Sequence, residues 1–346
     1  MATTSGRKIG REGMVVNLPH AGLGVVASLV FILGTACSES VGSQRRIVSR
    51  YYGSTDSMGV APAQISVKRT SVPSALVENS TAAMSMTQPG ILFTINDSGN
   101  EPLLFALDTT NRIRGVWRVV NASNVDWEAA SVGPCSAGAS AWCVYIGDVG
   151  DNEAHHRSRR LYRVAEPRAR QPGEPATRPE VIEAERLTYE YPNGPQDVEA
   201  MYVARNGDAF LIAKRPRLDK ARHPLPALVY RLPAEAWSDK ERTVAQLVDS
   251  LPIVPGSAPF RVITDAALSP DAKHLAVRTY MQLYVFETDS ATGRVNRELP
   301  PAVCNLLTVD QVQGEGVTWA DSRGRFVFTT EGNRAPIALA DCPLPR

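Results

Sequence analysis

The chain has 346 residues, enough for two ordinary domains or for one large all-β ring, so length leaves the domain count open. Its 37 Lys and Arg nearly balance 36 Asp and Glu, and only 21% of residues are charged, which argues against a broad nucleic-acid surface and a disordered acidic tail. A hydrophobic content of 43% with 25 Gly and 25 Pro describes a turn-rich globular chain with a sizeable core.

Arg7, Lys8 and Arg11 precede an uncharged run over 21–33, AGLGVVASLVFIL, which has the length of a signal-peptide core and is too short to span a bilayer comfortably. Gly34, Thr35 and Ala36 then lead to Cys37. Small residues before a cysteine favour lipidation of Cys37 in a lipoprotein-type signal, with a simple secretion signal cut after Ala36 as the alternative. Residues 1–36 therefore read as an export signal and 37–61, rich in Ser, Gly and Arg, as a tether or arm before a domain over 62–346. The expected location is the cell envelope or the exterior, with the membrane reached only through the lipid. If Cys37 carries the lipid, four cysteines remain, and an oxidising compartment favours Cys135 with Cys143 and Cys304 with Cys342.

The domain repeats one pattern. Residues 78–84, 91–97 and 103–108 are three short strands with a Pro89-Gly90 turn between the first two. The same order recurs over 126–132, 141–148 and 160–164, and over 197–204, 209–215 and 227–232, with Asn206-Gly207 as the turn. It recurs again over 263–268, 274–280 and 282–286, and finally over 313–319, 325–332 and 336–339. Fourth strands are expected at 115–120, 180–189, 243–248 and 302–307, and a segment at 63–68 is placed to complete the last sheet. Five antiparallel meanders in series predict an all-β fold, a single β-propeller of five four-stranded blades, with six blades if 199–265 hides another.

Alignment of the repeats puts a carboxylate in each first strand, Glu78, Glu128, Glu199, Asp265 and Glu315, where it would line a central channel. Asp126 and Asp197 stand two residues before Glu128 and Glu199, so period-two alternation turns each pair to one side. Second strands run back to the same end and bring Asp97, Asp148, Asp151, Lys214, Arg215 and Arg278 there. Converging carboxylates raise one another's pKa and require compensation, either from a hard cation such as Ca²⁺ or from inward ion pairs with Lys214, Arg215 and Arg278. The Gly147–Asn152 run, GDVGDN, offers Asp148 and Asp151 as further ligands, or serves as an Asx-turn network that shapes a loop.

The ordered set NDSG at 96–99, DWE at 126–128, GDVGDN at 147–152, the 159–167 stretch, DVEA at 197–200 and the Lys214-Arg215 pair resembles secreted bacterial β-propeller proteins over about 76–340. More distantly it is similar to the SdiA-regulated, esterase-like phytase and gluconolactonase-type propellers. That resemblance implies a divalent metal held by channel acids. Two functions follow: a monomeric envelope module that binds a small molecule or an envelope ligand at the acid-lined face, or a Ca²⁺-dependent hydrolase of a phosphate ester or lactone. In the hydrolase, Asp126 or Asp197 acts as base, and Lys214, Arg215 and Arg278 hold the anion. No G-x-S-x-G, P-loop or dinucleotide fingerprint occurs in the sequence.

Overall fold

The computed structural model describes residues 64–65, 70–71, 73–174, 178–214, 219–221, 225–238, 243–253, 262–309, 311 and 313–345. The expected export signal, Cys37, the tether and Arg215 lie outside the described residues.

Five sheets follow one another along the chain, and in each the strands are ordered from inner to outer. Blade 1 has Ala83–Met84, Leu92–Thr94, Leu103–Leu107 and Ile113–Val120; blade 2 has Trp127–Pro134, Trp142–Asp148, Ser158–Ala165 and Glu185–Glu190. Blade 3 has Val198–Val203, Ala209–Ala213, Ala227–Leu232 and Gln246–Leu251; blade 4 has Ile263–Leu268, His274–Thr279, Gln282–Glu287 and Ala302–Asn305. Blade 5 has Gly314–Trp319, Arg325–Thr330 and Pro336–Asp341. Each inner strand touches the inner strand of the next blade, and that of blade 5 touches that of blade 1. The protein is a five-bladed β-propeller. Among the described residues, the segment 199–265, where six blades would need a further sheet, holds blade 3, a short addition to blade 2 and the start of blade 4, and no sixth sheet.

The ring closes through the N-terminal side of the chain. Gln64–Ile65 pairs antiparallel with Pro336–Asp341, Gln64 opposite Asp341 and Ile65 opposite Ala340, which adds the outer strand that blade 5 lacks.

Strand alternation explains the core. In blade 3, Met201 and Val203 pack toward blade 2 with Ala129 and Tyr145, whereas Ala200 and Tyr202 pack toward blade 4 with Ile263 and Ala266. Successive side chains leave opposite faces of a strand, and here both faces meet a neighbouring blade, so Val198–Val203 is buried at every position. The smallest of these clusters lies at the closure seam, where Leu76, Ala82, Leu92, Phe105 and Leu107 of blade 1 meet Ala335 and Ile337 of blade 5.

Two expected outer strands are each divided between two blades. Glu180–Glu183 adds in parallel to Ile113–Val120 of blade 1, and the chain then crosses at Ala184 so that Glu185–Glu190 can pair antiparallel in blade 2. Ala184 N–H donates to the Val120 carbonyl at 3.2 Å, the last bond before the crossing. Thr243–Val244 repeats the arrangement on blade 2 before Gln246–Leu251 enters blade 3. These short parallel additions tie consecutive blades at their rims. Both expected disulfides form: Cys135–Cys143 staples the first hairpin of blade 2, and Cys304–Cys342 joins the outer strand of blade 4 to the end of blade 5.

Candidate functional site at the channel mouth

A bulge recurs where each inner strand leaves the channel mouth. Trp127 pairs with Asp148 and Ala129 with Gly147, so Glu128 is the extra residue; Glu199 is the extra residue between Val198 and Ala200. Glu315 falls in the corresponding irregularity between Gly314 and Val317. Bulges re-aim side chains at a strand's end, and here they bring carboxylates to one level of the channel.

Two of the five expected acids depart from this register. In blade 4 the extra residue is Thr264, which places Asp265 one residue deeper, opposite Arg278. In blade 1, Glu78 precedes the Asn79–Asn96 bridge just as Asp126 precedes Trp127 and Asp197 precedes Val198. The Glu78, Asp126 and Asp197 carbonyls accept from the amides of Asp97, Val149 and Lys214 respectively. Glu78 is thus the blade 1 counterpart of the outer acids. Counting from the turn places Asp265 one residue off, the width of the bulge, and Glu78 two.

The same equivalence defines a second set of mouth residues, the ones that follow each second strand: Asp97, Val149, Lys214, Tyr280 and Glu331. Lys214 Nζ lies 2.5 Å from Glu199 Oε1, and Tyr280 Oη donates to Glu315 Oε1 at 3.1 Å. Asp97, Asp126 and Glu128 bring carboxylate oxygens within 4.8 Å of one another. Gly150 lies over this group, and a Cβ there would meet Asp126 Oδ2 at 2.6 Å and Glu128 Cγ at 2.7 Å. Only glycine lets the 149–156 loop pass so close.

Burial and mutual repulsion set the protonation of the mouth. Burial, then Glu199 and Asp97, push Glu128 well above the ordinary glutamate value. Glu199 is likewise raised by burial, with Lys214 pulling against it. Burial raises Glu315, and burial together with Glu315, Asp97 and Glu78 pushes Glu331 up to about 8. Asp126 is pushed up to about 6 by burial and then by Asp97. Burial works to lower Lys214, but Glu199 and Asp197 outweigh it and keep the ammonium charged.

The remaining expected site residues serve the framework. Asp265 Oδ1 accepts from Ala266 N–H at 2.8 Å, and Oδ2 accepts from Val317 N–H at 2.8 Å, Thr81 Oγ1 at 3.2 Å and Ala82 N–H at 3.3 Å. One carboxylate therefore joins blades 4, 5 and 1. Arg278 is buried and donates to the Gly316 and Thr329 carbonyls at 2.6 and 2.8 Å and to Gln311 Oε1 at 2.6 Å, fastening blade 4 to blade 5. Asp148 accepts from Asp126 N–H at 2.8 Å and has Arg160 at 3.3 Å. Asp151 accepts from the amides of His155 and His156, the network of a shaped loop, while its own amide donates to Asp197 at 3.1 Å. Tyr280 was not singled out in the sequence; its position is that of Lys214 one blade on, and that equivalence could have found it.

No family model and no curated protein matches the chain. Among solved structures it is similar to the PQQ-bound aldose sugar dehydrogenase of Streptomyces coelicolor, at 11% identity and TM-score 0.44, over 82% of this chain and 99% of that one. It is also similar to the glutaminyl cyclase of Myxococcus xanthus (11%, 0.42, covering 81% and 97%) and to the β-propeller domain of Cps50 (Swd1) from Myceliophteria thermophila (11%, 0.40, covering 82% and 100%). The propeller fold and the count of five blades rest on the sheets themselves.

Proposed function

We propose that the acid-lined mouth binds a hard divalent cation, Ca²⁺, between Asp97, Asp126 and Glu128, and that the protein is an exported envelope module that engages a ligand or partner through this face. One observation carries the reading. Glu128 is 6% exposed, and its carboxylate has no hydrogen-bond partner among the described residues, although two further carboxylates stand beside it. A buried acid left in that state is costly, and a cation that takes oxygen ligands relieves it. Glu199 and Glu315, by contrast, already have Lys214 and Tyr280. Two disulfides agree with an oxidising compartment and so support export.

The test is calcium titration of metal-free protein, followed by calorimetry and by melting in Ca²⁺ and in chelator. A saturable heat and a higher melting temperature in Ca²⁺ are expected; identical melts with no heat discard the site.

Asp126 favours a second reading, a Ca²⁺-dependent hydrolase of a phosphate ester or lactone, because a carboxyl pushed up to about 6 can exchange a proton near neutrality. A bound cation would supply the charge that polarises the substrate oxygen. Less favourable is the anion cradle: Lys214 is held by Glu199 and Arg278 faces backbone carbonyls. Turnover of a phosphomonoester or a lactone that requires Ca²⁺ and disappears in Asp126→Asn even at saturating Ca²⁺ would establish it.

A further inference from the structure

The closure seam contains a second cavity, at the opposite end of the inner strands from the acids. It measures about 480 Å³ and is lined by Ala83 and Met84 of blade 1, Ala130 and Val132 of blade 2, Ala267 of blade 4 and Trp319 of blade 5. The sequence makes this space in two ways. The inner strand of blade 1 is only Ala83–Met84, where other blades place six or eight residues, and the facing positions Ala130, Ala266 and Ala267 carry a single methyl each. The apolar cluster between blades 5 and 1 is also the smallest of the ring, so little side-chain volume fills the wedge. A cavity of several hundred Å³ with mostly apolar walls is the size of a small-molecule site.

The cavity does not end in neutral surface. Pro89, Gly90, Asp108 and Thr109 line both it and an adjoining groove of about 740 Å³, which carries Arg114, Arg168 and Arg170. Of the groove's two carboxylates, Asp108 is engaged, and Glu166 is engaged through Oε1 while its buried Oε2 has no partner. Asp108 accepts from the Thr110 amide and hydroxyl at 2.8 and 2.6 Å, and Glu166 Oε1 accepts from Ser85, Thr87 and Gln88. Arg114 donates to the Arg170 carbonyl at 2.6 Å and Arg170 pairs with Glu180 at 2.5 Å, whereas Arg168 is exposed and makes no ion pair among the described residues. An apolar chamber thus shares the 89–90 and 108–109 turns with a groove that carries a spare guanidinium.

We propose that the seam binds an aliphatic carboxylate, its chain between Ala83, Ala267 and Trp319 and its charged end at Arg168. Each half of the ligand meets its complement: the chain leaves water for apolar walls, and a carboxylate matches the fork of an arginine. Neither half depends on the acidic mouth, so this site stands or falls apart from the calcium site.

The test uses the full chain, with dodecanoate, dodecanol and hexanoate competing against a fluorescent fatty acid. Dodecanoate is expected to displace the probe in the micromolar range, dodecanol about tenfold less well and hexanoate far less well. Ala267→Leu narrows the chamber and should weaken dodecanoate; Ala320→Trp, at an exposed lining position, does the same if the first variant fails to fold. Arg168→Gln should remove the preference for dodecanoate over dodecanol while leaving dodecanol unchanged. Absence of displacement up to about 1 mM, whether the seam stays empty or residues 1–63 fill it, overturns the proposal. So does displacement that all three variants leave unaltered, which would place the ligand elsewhere.

Discussion

Asp265 and Glu128 belong to neighbouring levels of one channel, both are largely buried, and they differ in the donors around them. Asp265 receives three backbone amides and a threonine hydroxyl from blades 4, 5 and 1. Glu128 has two other carboxylates for company and no donor among the described residues. Burial alone therefore does not mark a functional acid; the account of donors does. A carboxylate whose lone pairs are all taken is a staple, and one that is buried without them is where a cation is proposed.

The comparison breaks most visibly at Asp265. Asp265→Ala leaves three amides and Thr81 without their acceptor at a junction of three blades, and should cost about 3–5 kcal/mol in chemical denaturation. A loss under about 1 kcal/mol would mean that water replaces the carboxylate and that the staple is dispensable. Glu128→Gln tests the other member. In chelator it should melt at or above wild type, since it removes an acid whose ionised form burial, Glu199 and Asp97 disfavour. At a hundredfold excess of Ca²⁺ over Kd it should forfeit the roughly 2.7 kcal/mol that binding adds. If the variant keeps that gain, the cation is held elsewhere. Lys214→Met is expected to cost about 2 kcal/mol at pH 8 and less at pH 5, because Glu199 can take up a proton in place of its partner. Equal losses at the two pH values would show that Lys214 acts by packing alone.

Much of this was legible in the sequence because the repeat states it several times. Period-two strands, the Pro89-Gly90 and Asn206-Gly207 turns, and the inward acids each recur, and the number of copies is the number of blades. Cysteine pairing was legible for a different reason, since Cys135 and Cys143 stand eight residues apart and Cys304 and Cys342 are the pair that remains. What escaped depends on pairing between strands rather than on composition along them. Whether Glu128 or Asp265 carries the extra residue of the bulge is decided by the second strand opposite, and the donors to Asp265 come from Thr81, Ala82 and Val317, far away in the chain. The 180–189 stretch shows the same limit: its composition suits one strand, and only the positions of Val120 and Arg163 reveal that it serves two blades. Tyr280 went unnoticed because a phenol is not an expected member of an acid ring, though it stands where Lys214 stands.

The smallest expected effect is in the pH dependence, and its sign is unusual. Burial and neighbouring acids raise Glu331 from 4.5 to about 8 and Asp126 from 3.8 to about 6, and Glu128, Glu199 and Glu315 are raised as well. A folded-state pKa above the unfolded value means that the folded protein binds the proton more tightly. The contribution is complete below about 4.5 and is lost as pH climbs through the folded values, so metal-free protein should lose stability between about pH 5 and pH 8. Asp271 and Asp321 work in the other direction: their pKa values are held low by hydrogen bonds that outweigh partial burial, and their contribution disappears only in stronger acid. The two sets act in separate windows, and the upper one belongs to the channel mouth together with Asp265, which burial also raises. In chelator the melting temperature is expected to fall by roughly 2–4 °C from pH 5 to pH 8. In Ca²⁺ the fall should flatten or reverse, because the cation binds the ionised form of Asp126 and Glu128 that proton loss creates. A melting temperature that rises with pH in chelator would show that the mouth is charged and already compensated, and Glu128 would then resemble Asp265 after all.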